Sequence, residues 1–315
     1  MKKIYDILTV FDCCADLVLS GGDIVPRFGD QEQFVSDYTV EMGGSGCIFA
    51  VQCAKLGLCA AGIGVVGDDD FGRIIQKTLR VNGVDTSYLR CDNAWKTGMG
   101  VTLYAEDDRA ILTYNGTIDA VSAADITDEI LSQTRHLHIA SYYLMHGLQT
   151  QWPDIAKRAK NFGATISLDT NWDPGNLWGG EIFELLPYVD VFMPNKQEVK
   201  RISGKDSVKD AAFSLAEKVP LVVVKLGSHG AMAISGGHIR ERGAYRVETA
   251  DTVGAGDSFD SGFLWGYLRG MSIDECLLAG CFCGALCTSE HGGIRGQAKE
   301  KQLLEYFALC KRSQS

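Results

Sequence analysis

The chain has 315 residues, 46% apolar and 22% charged, with a formal net charge of −10 from 30 Lys and Arg against 40 Asp and Glu. That length admits one large α/β domain or two smaller ones, and the composition excludes a mainly disordered chain. The acidic balance disfavours nucleic acid and anionic membrane as partners, and no apolar run nears the ~18–20 residues that span a bilayer.

Residues 4–10 read as a short apolar strand. Lys2 and Lys3 precede it, but Asp6, Asp12 and Asp16 interrupt any hydrophobic signal segment, so a cytoplasmic protein is expected. Residues 45–56 carry helical apolar spacing, and 59–66 then read as a buried strand. An amphipathic helix follows over 71–81, with an N-cap offered by Asp68 to Asp70 and a stop at Asn82-Gly83. Further apolar runs lie at 137–140, 165–168, 189–193 and 221–225, with helical stretches between them. Strands alternating with helices predict a mostly parallel sheet covered on both faces.

Two segments break this rhythm, 17–41 and 97–114, which alternate polar and apolar residues without helix signals. They are expected to form a small antiparallel lid inserted into a single domain over 1–315, with a hairpin turn at Asp107-Asp108-Arg109. From residue 254 onward the chain reads as three helices, 254–269, 272–289 and 298–310. The 11 Cys form no C-x-x-C pair; Cys276, Cys283 and Cys287 share one helical face and read as small buried hydrophobes in a reducing cytosol.

The stretch richest in chemistry is Asp251-Thr252-Val253-Gly254-Ala255-Gly256-Asp257-Ser258-Phe259. A glycine turn opening a helix exposes unpaired backbone N–H groups at the positive end of the helix dipole, and an anion binds there readily. Two acids flank that anion site. An acid beside a phosphate fits a general base that takes a proton from an attacking hydroxyl, or a group that holds a cation. The dipole is expected to favour the ionised form of Asp257.

This run resembles the C-terminal signature of the ribokinase-like (PfkB) carbohydrate kinases almost letter for letter, and other landmarks stand in the family's order. Gly43-Gly44 precedes a helix, as in the N-terminal signature. Gly67-Asp68-Asp69-Asp70-Phe71-Gly72 looks like its G-x-D-x-F-G element, Asn195-Lys196-Gln197-Glu198 is similar to its N-x-x-E motif, and Lys225-Leu226-Gly227 matches the strand-to-turn element near the nucleotide. The resemblance implies a ribokinase-like α/β sandwich with a β lid, and transfer of the γ-phosphoryl group of ATP to a hydroxyl of a small carbohydrate. It implies Asp257 as general base and the backbone of Gly254, Ala255 and Gly256 as anion hole. Asp251 would support that loop with a monovalent cation, K⁺, and Asn195 and Glu198 would organise Mg²⁺ directly or through water. Lys225, Gly227 and Cys281 would meet the nucleotide. Asp16, Gly43, Gly44, Asp169 and Asn171 would meet the sugar, and two copies would pair through the lid.

The chain departs from the family pattern at three places. Ile48 stands where many members carry a sugar-contacting Asn, Asp173 near where many carry an Arg, and Cys281 where Asn or His often meets adenine. The N-x-x-E motif is also nearly a capping box. Tyr142, Tyr143 and His146, after a strand end, read as packing or as site residues. Two further readings stay open: a nucleoside kinase of the same fold, and a non-catalytic sugar- or nucleotide-binding regulator. A dinucleotide-binding dehydrogenase is disfavoured, because residues 11–21 hold no G-x-G-x-x-G.

Overall fold

The structure, a computed structural model, describes residues 3–21, 24–105 and 108–312. Its first strands and helices are β1 (Tyr5–Val10), β2 (Cys14–Ser20), β3 (Asp37–Met42), α1 (Ser45–Lys55), β4 (Ala60–Gly67) and α2 (Asp70–Val81). Then come β5 (Leu89–Asp92), β6 (Gly98–Ala105), β7 (Asp108–Tyr114), α3 (Asp128–Ser132), β8 (Thr134–Ile139), α4 (His146–Gln149) and α5 (Trp152–Asn161). The chain continues through β9 (Thr165–Leu168), α6 (Ile182–Leu185), β10 (Val191–Phe192), α7 (Lys196–Ser203), α8 (Val208–Ala216) and β11 (Leu221–Lys225). It closes with β12 (Ala231–Ser235), β13 (His238–Arg242), α9 (Ala255–Tyr267), α10 (Ile273–Cys287) and α11 (Glu300–Arg312).

Nine strands form one sheet in the order β13-β12-β11-β10-β9-β8-β1-β4-β5. Every pairing from β11 to β5 is parallel, and only the β11–β12 and β12–β13 pairings are antiparallel. The run Leu-Val-Val-Val of β11 shows why. In a sheet covered on both faces a strand can be apolar throughout, and its alternate residues enter different cores. Val222 and Val224 pack with Trp152, Ile155 and Val199 from α5 and α7. Leu221 and Val223 pack with Phe49, Phe263 and Leu277 from α1, α9 and α10. Among the described residues, no helix is long and apolar enough to cross a membrane.

Both segments that broke the helix–strand rhythm supply strands of a second, four-stranded sheet, ordered β3-β2-β6-β7. It is not wholly antiparallel as expected, because its middle pair, β2 with β6, is parallel. The reason lies in the large sheet: β2 continues from β1 and β6 from β5, and those strands already run parallel. β6 and β7 pair from Met99↔Tyr114 to Ala105↔Asp108. The turn expected at 107–109 begins outside the described residues.

Several sequence boundaries agree with the structure closely. Asp69 caps α2 by accepting from Gly72 N, and the helix ends at Asn82. The run 189–193 shrinks to the two-residue β10, and the hairpin β12–β13 and the short β5 lay outside the sequence reading. The eleven cysteines are all free thiols.

The parallel strands set up the site. In such a sheet, ligand-facing groups gather beyond the carboxyl ends of the strands. Asp12 follows β1, Ser141 follows β8, Asp169 and Asn171 follow β9, and Lys225 ends β11.

Candidate active site

The turn before α9 has the shape its glycines predict. Gly254 is the N-cap with φ 72, a left-handed conformation that suits glycine. A Cβ there would also stand 2.6 Å from Gly293 O. Asp251 braces the turn, accepting from Val253 N and Gly292 N at 3.0 Å each. The Gly292 contact joins the 251–254 segment to the loop after α10.

On one side of this turn lies a cleft of about 470 Å³. Lys225, Gly227, Ala255, Gly256 and Cys281 all line it, so two of the three expected anion-hole residues share one cavity with the three expected nucleotide contacts, while Gly254 does not line it. Gly227 has φ 62, and its missing side chain leaves open space. Burial pushes the Cys281 thiol up to about 11, so it stays neutral.

On the other side lie the expected sugar contacts. The Asp16 carboxylate reaches between two glycines: a Cβ at Gly43 would stand 2.3 Å from its Oδ2, and one at Gly100 would stand 2.7 Å from its Oδ1. Gly44 caps α1 with φ 84, and a Cβ there would meet Asp12 O at 2.4 Å. Ile48 packs on the anion-hole turn, its Cγ2 3.0 Å from where a Gly254 Cβ would be. Asn171, held at φ 55, donates to Ser45 Oγ and Ser141 Oγ at 2.8 Å each.

Asp257 stands in the first turn of α9, between the two sides. The structure reverses one expectation here. Its carboxyl is pushed up to about 8 rather than held ionised. Enclosure by protein is the largest cause, followed by the Asp169 charge; Asp12 adds to it, while Lys225 and the Ser45 hydroxyl oppose it. A helix dipole offers about half a charge at the surface, too little to offset enclosure among carboxylates.

Three expected roles look different in three dimensions. Asp169 is buried and its Oδ2 takes Lys225 Nζ at 2.6 Å, so its carboxylate is committed to that lysine rather than to a sugar. Lys225 also donates to Asp260 Oδ2 at 3.0 Å. Asn195 and Glu198 form the capping box of α7: Asn195 Oδ1 accepts from Gln197 N at 2.8 Å and Glu198 N at 3.1 Å, and Glu198 Oε2 accepts from Asn195 N at 2.8 Å. Burial, reinforced by Asp169, pushes Glu198 up to about 7. Among the described residues, no three His, Cys, Asp or Glu side chains are arranged to hold a metal ion.

Tyr142 and Tyr143 are core residues, while His146 is exposed beside Asp119. Asp173 binds its own loop through Gly175 N, Leu177 N and Trp178 N at 2.8, 2.6 and 2.8 Å.

Sequence reasoning missed two buried acids. Asp12 accepts from Ser45 N and Gly46 N at 2.9 Å each and from the Ser141 hydroxyl, and burial raises its carboxyl despite those donors. Asp260 lies one turn after Asp257 on α9. A signal was present for Asp12, an acid set within the apolar Val10-Phe11-Asp12-Cys13 stretch, which is rarely buried without a partner; Asp260, in Phe-Asp-Ser-Gly-Phe, carried none.

The family model described as pfkB family carbohydrate kinase matches residues 8–300. A sugar kinase of Archaeoglobus fulgidus, itself uncharacterized, is 30% identical over 244 residues, covering 77% of this chain and 96% of that one. A ribokinase of Haemophilus influenzae is 26% identical, with 98% and 99% covered. Among solved structures, the Arabidopsis thaliana ribokinase complexed with ribose and ATP superposes with a TM-score of 0.82 at 24% identity, covering 97% of this chain and 98% of that one.

Proposed function

The chain belongs to the pfkB family of carbohydrate kinases, phosphotransferases with an alcohol acceptor, and from that premise we propose an ATP-dependent kinase of a small neutral sugar with Asp257 as general base. The carrying observation is the place of Asp257. It shares one helix turn with the backbone N–H groups that open into the 470 Å³ cleft, and it meets Ser45 and Asp12 on the side where Asp16 lies. A hydroxyl held by Asp16 can lose its proton to Asp257 while the phosphoryl group sits against the helix N-terminus. The nucleotide lies along Gly227 and Cys281. Asp16, Asn171 and Ser45 offer hydrogen bonds suited to hydroxyls, and the local acids disfavour a phosphorylated or acidic sugar.

A coupled ADP-release assay over neutral pentoses and hexoses, phosphosugars, keto-deoxy acids and nucleosides tests this. Turnover confined to neutral sugars supports it. Turnover with nucleosides or phosphosugars instead replaces the substrate class, and no turnover with any acceptor favours a binding regulator.

Mg²⁺ and ATP are expected partners of this family's chemistry. The buried Glu198 carboxylate, beside Asp169 and Lys225, fits a metal carried on the nucleotide's phosphates and reached through water. Bound there, Mg²⁺ would neutralise charge on the transferring group. Glu198 is the carboxylate proposed to act on it through water. Glu198→Gln preserves the capping box, because Gln also serves at that position. The variant should therefore keep its fold and need more Mg²⁺ for half-maximal rate. An unchanged Mg²⁺ curve removes Glu198 from the metal's surroundings. K⁺ at the Asp251 loop is proposed with it, and adding K⁺ should raise the rate.

Asp16 should govern the sugar. Losing hydrogen bonds to a charged group costs about 1.5–3 kcal/mol, roughly 10- to 150-fold in affinity. Asp16→Ala is expected to raise the sugar KM by that factor and leave the ATP KM nearly unchanged. Equal change in both places Asp16 elsewhere.

We also propose pairing of two copies through the four-stranded sheet, which exposes Tyr38, Val40, Ile111, Leu112 and Tyr114. Sedimentation should give twice the monomer mass; a monomer at micromolar concentration rejects this.

A further inference from the structure

Lys225 is the enclosed cation of the cleft. Its side chain is 11% exposed, yet the residue lines the 470 Å³ cavity. An ammonium has three N–H donors. Two are used, on Asp169 Oδ2 at 2.6 Å and Asp260 Oδ2 at 3.0 Å, and the third has no acceptor among the described residues. Gly256 shows what lies beside the ammonium: a Cβ there would stand 3.6 Å from Nζ. The ammonium therefore rests against the turn read as the anion hole. Arg246, the other cation lining the cleft, is exposed to solvent, where its charge is screened.

We propose that Lys225 is a further catalytic residue of phosphoryl transfer, its third N–H directed at the γ-phosphoryl oxygens held at the Gly254–Gly256 turn, with Asp169 and Asp260 clamping it in place. The proposal rests on the kinase reading above.

Charge balance supports it. Two ionised carboxylates beside one ammonium would make a net negative cluster and repel phosphate. Burial opposes charge on all three groups. It raises Asp260 well above the usual carboxylate range. Asp169 is held below that range despite burial, chiefly by Lys225 and by a hydrogen bond from Asp260. Burial thus favours the neutral form of Asp260 and the Lys225 charge the ionised form of Asp169, a balance of one anion, one cation and one neutral acid. Burial also opposes the ammonium, but the surrounding acids outweigh it and hold Lys225 above the ordinary lysine value. An incoming phosphate meets a permanent cation in a neutral unit, already oriented before the reaction. Fixed charge of this kind stabilises a transition state without reorganisation.

The test removes the whole unit, since removing Lys225 alone strands buried acids. The triple variant Lys225→Met, Asp169→Asn, Asp260→Asn is neutral and close in shape. It should fold, by circular dichroism and Tm, and keep its sugar KM, while kcat falls about 10²–10³-fold, the usual loss of one oxyanion donor. A folded triple variant within about threefold of wild-type kcat overturns the proposal. Should the triple variant not fold, Gly256→Ala decides. Its Cβ meets only ordinary contact distances, so Tm should hold, but it adds a methyl group 3.6 Å from the ammonium at the cleft wall, and kcat should fall about tenfold. Wild-type kcat in that variant also overturns the proposal. Asp257→Asn, run in parallel, separates the two claims. An active Asp257→Asn enzyme rejects the base assignment, whereas an inactive one beside a fully active triple variant rejects only the role of Lys225.

Discussion

Asp257→Asn is expected to lower kcat by about 10²–10⁴-fold, the usual contribution of a positioned base. A sugar hydroxyl is a weak nucleophile until its proton has an acceptor. Asn keeps the size, the planar shape and one oxygen of the Asp side chain, and it leaves the helix N–H groups untouched. It cannot take the proton. The fold should be unchanged, because wild-type Asp257 is already largely neutral below its raised value of about 8. Burial of a neutral amide in its place therefore removes little favourable charge. ATP affinity, measured by calorimetry, should hold at neutral pH and improve only above about pH 8, where the wild-type carboxylate carries its charge. A variant that keeps more than about a tenth of wild-type kcat sets the base elsewhere.

The fold could be read where local signals agreed with one another. α2 is an example: the Asp69 cap, the amphipathic spacing and the Asn82-Gly83 stop act within one short segment. The β12–β13 hairpin went unread although Gly236-Gly237 joins its strands, because β13 (His-Ile-Arg-Glu-Arg) is polar and edge-exposed and carries no apolar run. Parallel pairing in the smaller sheet could not be seen from either segment alone, as it follows from how β1 and β5 sit in the larger sheet.

The site divides in the same way. The Gly254–Asp257 run carries its chemistry in neighbouring residues, so the sequence places both the turn and the acid. Asp169 and Lys225 are 56 residues apart, and their ion pair exists only after β9 and β11 are brought to the same sheet edge. Reading each alone gave one to the sugar and the other to the nucleotide. The raised Asp257 carboxyl was hidden for a related reason. The helix dipole is local and visible in sequence, whereas enclosure near Asp169 and Asp12 is a product of packing.

That enclosure fixes a pH dependence. A base must be ionised to accept a proton, so low pH inactivates it. With a free-enzyme value of about 8 for Asp257, kcat/KM should rise with pH and level off only above that value. The ionised fraction changes about 50-fold between pH 6 and pH 8 for a single such group, and kcat/KM should follow it. An ordinary carboxylate near 3.8 would instead give a flat profile from about pH 5 upward. The groups facing Asp257 account for the direction: Asp169 and Asp12 favour its proton, and the Lys225 ammonium and Ser45 hydroxyl, though opposed to that, do not outweigh burial. A divalent cation arriving with the nucleotide favours the carboxylate, so the acid limb of kcat should lie below that of kcat/KM. The residual activity of Asp257→Asn should show no acid limb at all. Full profiles from pH 5 to 9.5, on wild type and variant with the same sugar, check all three points. A flat wild-type profile, or an acid limb that survives in the variant, assigns the titration to another group and removes the link between the enclosure of Asp257 and its chemistry.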